Sequence, residues 1–300
     1  MSQTLPRWKI WLLAARPATL TAALAPLAVG GVVAFRAHGF ALWPWMAALL
    51  GAVCIQLGTN FANDVFDFEK GADTADRQGP LRVTQAGLVT PQQVKRAMVL
   101  AFAGAVLCGI YLVALRGWPL VALGVASIAS GVLYTGGPKP LGYLGLGDVF
   151  VFAFFGVAAV VGTVYVQTGT IPLAAWVYSV PVGASCTAIL VVNNLRDAQT
   201  DVLVGKRTLA VRFGPTFVRW EYALLWALAV AIPLAMAVVH RRPWMALPVV
   251  CAVPALALTR TVFAHSDGPP LNATLAKTAK LHLVSGLLLA LGLWLDRILS

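Results

Sequence analysis

Nine apolar stretches of about bilayer-crossing length dominate this chain, at residues 18–35, 41–62, 97–115, 118–135, 146–167, 172–193, 220–239, 243–263 and 280–297. No water reaches backbone amides in hydrocarbon, so each stretch must satisfy its own N–H and C=O groups as a helix. The expectation is an all-α polytopic membrane protein with nine transmembrane helices, forming one integral membrane domain over residues 1–300. Composition agrees: 59% of residues are hydrophobic and 11% charged, against about 25% charged in soluble domains. Residues 1–16 precede the first span. There Trp8 and Trp11 alternate with Arg7, Lys9 and Arg16, and no small-residue cleavage site follows a short apolar core. This pattern predicts an interfacial helix and not a signal peptide.

The net charge of +11 does not point to nucleic acid, because the basic residues are scattered through short loops and form no long tract. Loop cations set topology and meet anionic lipid, so the bilayer is the expected partner. With the N-terminus in the cytoplasm, only Arg36, Arg116, Arg241, Arg242 and Arg297 of the 22 Lys and Arg residues fall outside. The positive-inside rule therefore selects that orientation. Cys54, Cys108, Cys186 and Cys251 each lie within an apolar run without ligand spacing, and read as small core residues.

The 11 acidic residues are distributed very differently. Asp64, Asp67, Glu69, Asp73 and Asp76 crowd the end of the second run, and Asp197 and Asp201 follow the sixth. At 3.6 residues per turn, Asn60, Asp64, Asp67 and Gly71 share one helix face, as do Asn193, Asp197 and Asp201. The active-site segments are expected as cytoplasmic loops at 63–96 and 195–219. Carboxylates so crowded repel one another unless cations neutralise them. Oxygen donors without nearby His or Cys favour a hard ion, Mg2+, which keeps part of its shell for substrate phosphates. Basic residues flank both clusters: Lys70, Arg77 and Arg82 after the first, and Arg196, Lys206, Arg207 and Arg212 after the second. Acids holding metal and bases reaching phosphate oxygens together describe a metal-diphosphate site.

A diphosphate site on an apolar bundle suits an allylic polyprenyl diphosphate, whose tail needs lipid and whose head needs metal. Weakening of the C1–O bond would leave an allylic cation for an electron-rich acceptor. Tyr134, Tyr143, Phe61 and Phe66 are candidate aromatic neighbours for that cation, with packing the simpler role for the two phenylalanines. His38, His240, His265 and His282 lie away from the clusters and read as structural.

The sequences NDVFDFEKGAD from Asn63 and NNLRDAQTD from Asn193 resemble the paired aspartate motifs of the UbiA superfamily of intramembrane aromatic prenyltransferases. RPATLTAALAPLAVG, YTGGPKPLGYLGLGD and LNATLAKTAKLHLVSGLLLALG extend the resemblance, in order, to its 1,4-dihydroxy-2-naphthoate polyprenyltransferase branch. The resemblance implies nine helices around a central cavity, open sideways to lipid, with the active site at the cytoplasmic face of a bacterial inner membrane. It implies Mg2+-dependent, decarboxylating transfer of a polyprenyl group to 1,4-dihydroxy-2-naphthoate, as in menaquinone synthesis. Asp64, Asp67, Asp197 and Asp201 would be the catalytic metal ligands. Substrate contacts would come from Asn60, Asn63, Asp73, Arg77, Arg82, Tyr134, Lys139, Tyr143, Asn193 and Lys206. Gly71 stands where many relatives outside this branch carry a further aspartate, and Asp73 two residues later matches the branch; Asp67 or Asp73 would take any phenolic proton.

Two alternatives stand beside this reading. A UbiA-type enzyme could prenylate another acceptor, such as 4-hydroxybenzoate or homogentisate. A cation-coupled transporter could also hold intramembrane acids near a repeat interface, although both clusters lie at one face of the membrane and carry phosphate-type bases.

Overall fold

The computed structural model describes residues 5–72, 79, 81–266 and 268–299. Among these every regular element is helical: α1 (Arg7–Ala15), α2 (Pro17–Arg36), α3 (Leu42–Glu69), α4 (Pro91–Arg116), α5 (Pro119–Leu133), α6 (Gly147–Val151), α7 (Ala159–Thr168), α8 (Leu173–Leu203), α9 (Leu209–His240), α10 (Ala252–Ala264) and α11 (Gly268–Ile298). A π-helical stretch, Phe152–Ala158, joins α6 to α7, and a 3-10 helix, Pro243–Cys251, leads into α10. Eight of the resulting segments are long and apolar enough to cross a membrane, and α5, with 15 residues, is a shorter ninth. The protein is an integral membrane bundle.

Local chemistry sets the helix ends. The Arg16 backbone is left-handed, with φ of 50°, and Pro17 fills the first position of α2, so the chain turns sharply between the short α1 and the first span. Thr90 caps α4 through a reciprocal bond pair with Gln93, and Pro91 follows. The Gly214 backbone, at φ 79°, kinks α9 near its start.

Small residues let the helices approach. A Cβ on Gly156 would lie 2.5 Å from the Gly183 Cα, so the π-helical stretch rests on α8 backbone to backbone. α3 packs most extensively on α4 and α8 on α9, while α2 lies against α11, α7 and both motif-bearing helices.

Helix length positions the site. At about 1.5 Å per residue, α3 runs about 42 Å and α8 about 46 Å, beyond the roughly 30 Å of hydrocarbon. Their C-terminal turns carry Asn60–Asp67 and Asn193–Asp201, so much of the expected loops is helix: 63–69 belongs to α3, 91–96 to α4, 195–203 to α8 and 209–219 to α9. The acids accept bonds from cations and amides while the helices continue, and nothing forces the backbone to unwind.

Candidate active site

The C-terminal ends of α3 and α8 meet at a cavity of about 510 Å³. Asp67 is its charged centre. It is 2% exposed; Oδ2 accepts from Arg82 Nη2 at 3.1 Å and Oδ1 from Tyr143 Oη at 3.1 Å. Lys206 Nζ, from the segment after α8, lies 3.6 Å from the same Oδ1. The two motifs are therefore joined by an ion pair. Lys70 Nζ donates to the Thr135 and Gly137 carbonyls at 2.6 and 2.8 Å. Burial lowers its ammonium from the usual lysine value; Asp67 acts against that shift and Lys206 adds to it.

Asn63 Oδ1 accepts from Thr135 Oγ1 at 2.9 Å and the residue lines the cavity. Asn60 also borders it, but its Nδ2 donates to the Ala15 carbonyl and to Thr19 Oγ1 at 2.9 and 2.8 Å, tying α3 to the α1–α2 corner. Asp64, expected among the metal ligands, is not part of the lining. Its carboxylate is 1% exposed and accepts from the Val83 and Thr84 amides at 3.3 and 3.1 Å. One residue step on a helix is about 100°, which separates Asp64 from Asn63 and turns it toward the loop.

On α8, Asn193, Asp197 and Asp201 all line the cavity, as their spacing predicts. Arg196, expected among the phosphate-reaching bases, is 2% exposed and is not part of the cavity lining; it backs two residues that are. Its Nε and Nη2 form a fork on Asp197 at 2.7 and 2.6 Å, while Nη1 and Nη2 reach Asn272 and Asn193 at 3.0 and 2.9 Å. Among the described residues, no three His, Cys, Asp or Glu side chains form a ready-made metal cluster. Asp67 and Asp197 are held by the chain's own cations.

Tyr134 lines the cavity; only hydrogen at Gly147 lets its hydroxyl approach, since a Cβ there would lie 2.8 Å from Oη. Tyr143 lines it as well, but Lys70 and Lys206 face its ring at 5.2 and 5.0 Å, so that ring already serves two ammonium groups. Phe61 stacks edge-on with Trp11 and Phe66 abuts Gly136, both in packing roles. The cavity's own phenylalanines are Phe150, Phe154 and Phe155, which sequence reasoning missed. Phe154 and Phe155 both lie in the π-helical stretch, where α-helical spacing does not apply. Asn194 and Arg16 were also missed; a doubled Asn and a charge before a helix-starting Pro are the signals that marked them.

Arg82 and Lys206 border the cavity as expected. Lys139 does not: the turn folds back through the Gly142 amide onto the Tyr134 carbonyl at 3.0 Å and leaves Lys139 exposed at the rim. Asp73, Asp76 and Arg77 lie outside the described residues. His282 is fully buried, with Nδ1 2.8 Å from Ser185 Oγ, in keeping with a structural role.

The sequence that builds this cavity matches, over residues 23–294, the profile of the UbiA prenyltransferase family. The chain belongs to this family. The 1,4-dihydroxy-2-naphthoate octaprenyltransferase of Mycobacterium tuberculosis is 39% identical over 280 residues, covering 93% of this chain and 95% of that one. The enzyme of the same name from Haemophilus influenzae is 35% identical over 295 residues, covering 95% and 96%. In fold, a UbiA homolog from Archaeoglobus fulgidus bound to DMAPP and Mg2+ superimposes with a TM-score of 0.63 at 14% identity, covering 93% of this chain and 98% of that one. The cavity at the ends of α3 and α8 is thus the candidate active site of a UbiA-family protein.

Proposed function

We propose that this protein transfers a polyprenyl group from polyprenyl diphosphate to 1,4-dihydroxy-2-naphthoate with loss of carbon dioxide, giving demethylmenaquinol. The observation that carries the reading is the meeting of Asp67, Asp197 and Asp201 with Arg82 and Lys206 at one mouth of an apolar cavity. The names of the bacterial relatives support the acceptor. The loop charges support a cytoplasmic N-terminus and a cytoplasmic site in a bacterial inner membrane.

The donor set suits Mg2+: carboxylates of Asp67, Asp197 and Asp201, with amide oxygens of Asn63 and Asn193, and room for phosphate oxygens. Mg2+ is commonly held by one or two carboxylates plus substrate phosphates, so separate carboxylates suffice. When bound, Mg2+ would supply Lewis-acid stabilisation of the departing diphosphate. Arg82 and Lys206, which neutralise Asp67 in the free protein, would move their charge onto phosphate oxygens. The prenyl tail would lie along the apolar wall, past Phe150, Phe154 and Phe155. As the C1–O bond breaks, the electron pair of the acceptor ring carbon forms the new C–C bond. The electrons of the ring–carboxylate bond then restore aromaticity as carbon dioxide leaves, so this step needs no separate base. Asp73 and Arg77 are proposed to approach the diphosphate from the segment before Arg82.

The test is a reaction of purified protein with polyprenyl diphosphate and 1,4-dihydroxy-2-naphthoate, with and without Mg2+, followed by mass spectrometry. Magnesium-dependent appearance of the prenylated, decarboxylated quinol is expected. Prenylation of 4-hydroxybenzoate alone would retain the site chemistry and remove the acceptor assignment. No prenylation of either by folded protein would remove the whole reading.

A further inference from the structure

Two carboxylates three residues apart on α3 have opposite employments. Asp67 faces the cavity, whereas Asp64 is buried against the segment that begins at Arg82. Its Oδ2 accepts from the Val83 amide at 3.3 Å and its Oδ1 from the Thr84 amide at 3.1 Å. Val83, fully buried, packs with Phe61, Val65 and Val94 in one apolar cluster, which fixes the same segment from its other side. The segment then closes on itself: the Ala86 amide reaches the Arg82 carbonyl and the Leu88 amide the Val83 carbonyl, each at 3.0 Å. Arg82, immediately before the anchored amides, is 5% exposed, borders the cavity and donates to Asp67 at 3.1 Å.

We infer that Asp64 is a positioning residue for diphosphate recognition: it hangs the 82–84 segment on α3 so that the Arg82 guanidinium is held at the cavity mouth. The inference rests on the proposed diphosphate role of Arg82. A carboxylate suits this place because both oxygens accept, and two adjacent backbone amides need two acceptors. An arginine's side chain is long and costly to order, so a fixed backbone beneath it reduces what the ligand must immobilise.

The experiment uses the full chain in detergent and magnesium diphosphate, the leaving group, as the calorimetric probe, so that the answer does not depend on the acceptor. Asp64→Ala and Arg82→Ala are each expected to weaken binding about tenfold, and the double variant no more than Arg82→Ala alone, because the two act as a unit. Asp64→Asn, near-isosteric and keeping one acceptor oxygen, is expected to fall between wild type and Asp64→Ala; it carries the test by itself if the alanine variant does not accumulate. Excess Mg2+ should not restore the loss in any Asp64 variant. Restoration by Mg2+ would make Asp64 a metal ligand and overturn the inference, as would an additive double variant or unchanged binding by Asp64→Asn. If wild-type protein fails to bind magnesium diphosphate, the diphosphate site falls first and the positioning role with it. If wild type binds and only the variants behave unexpectedly, the site stands and Asp64's role alone is lost.

Discussion

Asp67 receives Arg82, Tyr143 and Lys206 at once, so its charge is heavily compensated in the free protein. Asp67→Asn should retain the hydrogen-bonding shape and lose the charge. Turnover is expected to fall by at least about 100-fold, the scale on which a well-placed electrostatic group acts, with the variant still folded by circular dichroism. Lys206→Ala should raise KM for the prenyl diphosphate about tenfold, as removal of a charge-assisted contact does, and leave KM for the acceptor within about twofold. Arg196 tests stability instead. Its replacement by Met leaves Asp197 without its fork, and breaking a buried pair costs about 3–5 kcal/mol. Thermal unfolding in detergent should show that loss, and Arg196→Met with Asp197→Asn should recover part of it. The spacing of Asn193, Asp197 and Asp201 was readable because α8 stays helical through all three. Asp64 was misplaced because a helical wheel gives angle and not neighbour, and the loop that claims its carboxylate comes from residues 83 and 84. The bonds of Arg196 were hidden for a similar reason: sequence places a guanidinium beside Asp197 but does not show its Asn272 acceptor.

At the level of elements, the cavity wall depends on features that apolar periodicity does not encode. The π-helical stretch Phe152–Ala158 shifts the register of the aromatic side chains, and its seat on α8 depends on Gly156 meeting Gly183. α5, shorter than the eight described segments long enough to cross a membrane, gives the cavity Leu120, Leu123, Gly124, Ser127 and Ser130. A Cβ on Gly124 would meet no atom within 4 Å. Gly124→Phe should therefore start its side chain in open space at the cavity wall and narrow the cavity there. With a mixture of prenyl diphosphates, chromatography and mass spectrometry should show the product distribution shifting to shorter chains, while the shortest substrate keeps its rate. An unchanged distribution would place the tail elsewhere. The element boundaries themselves were largely legible, since the expected spans 18–35, 172–193 and 243–263 fall within Pro17–Arg36, Leu173–Leu203 and Pro243–Ala264 to about a residue. The exceptions are the helix ends that project beyond the hydrocarbon, where apolar content stops marking the helix but the helix does not stop.

For the whole molecule, nine apolar runs and their flanking charges prescribe a bundle, yet leave open which helices touch. That choice is made by close approaches such as Gly286 against Ala25, which joins α11 to α2. The bundle carries its own counter-charges at the site, so chelation of divalent ions should abolish turnover and leave Tm within about 2 °C, a shift smaller than the roughly 2–4 °C that 1 kcal/mol produces in chains of 150–250 residues. The ion pair of Lys206 with Asp67 has one more consequence. Asp67 holds its counter-charges before any substrate arrives, so entry there is an exchange and not an addition. A metal arriving alone must displace the arginine and lysine that pair with Asp67, and a bare diphosphate must draw those same groups from that carboxylate. The two guests relieve each other's penalty only when they come together. Such an enzyme would wait in the membrane neither primed by metal nor blocked by stray diphosphate, responsive to the complex of the two.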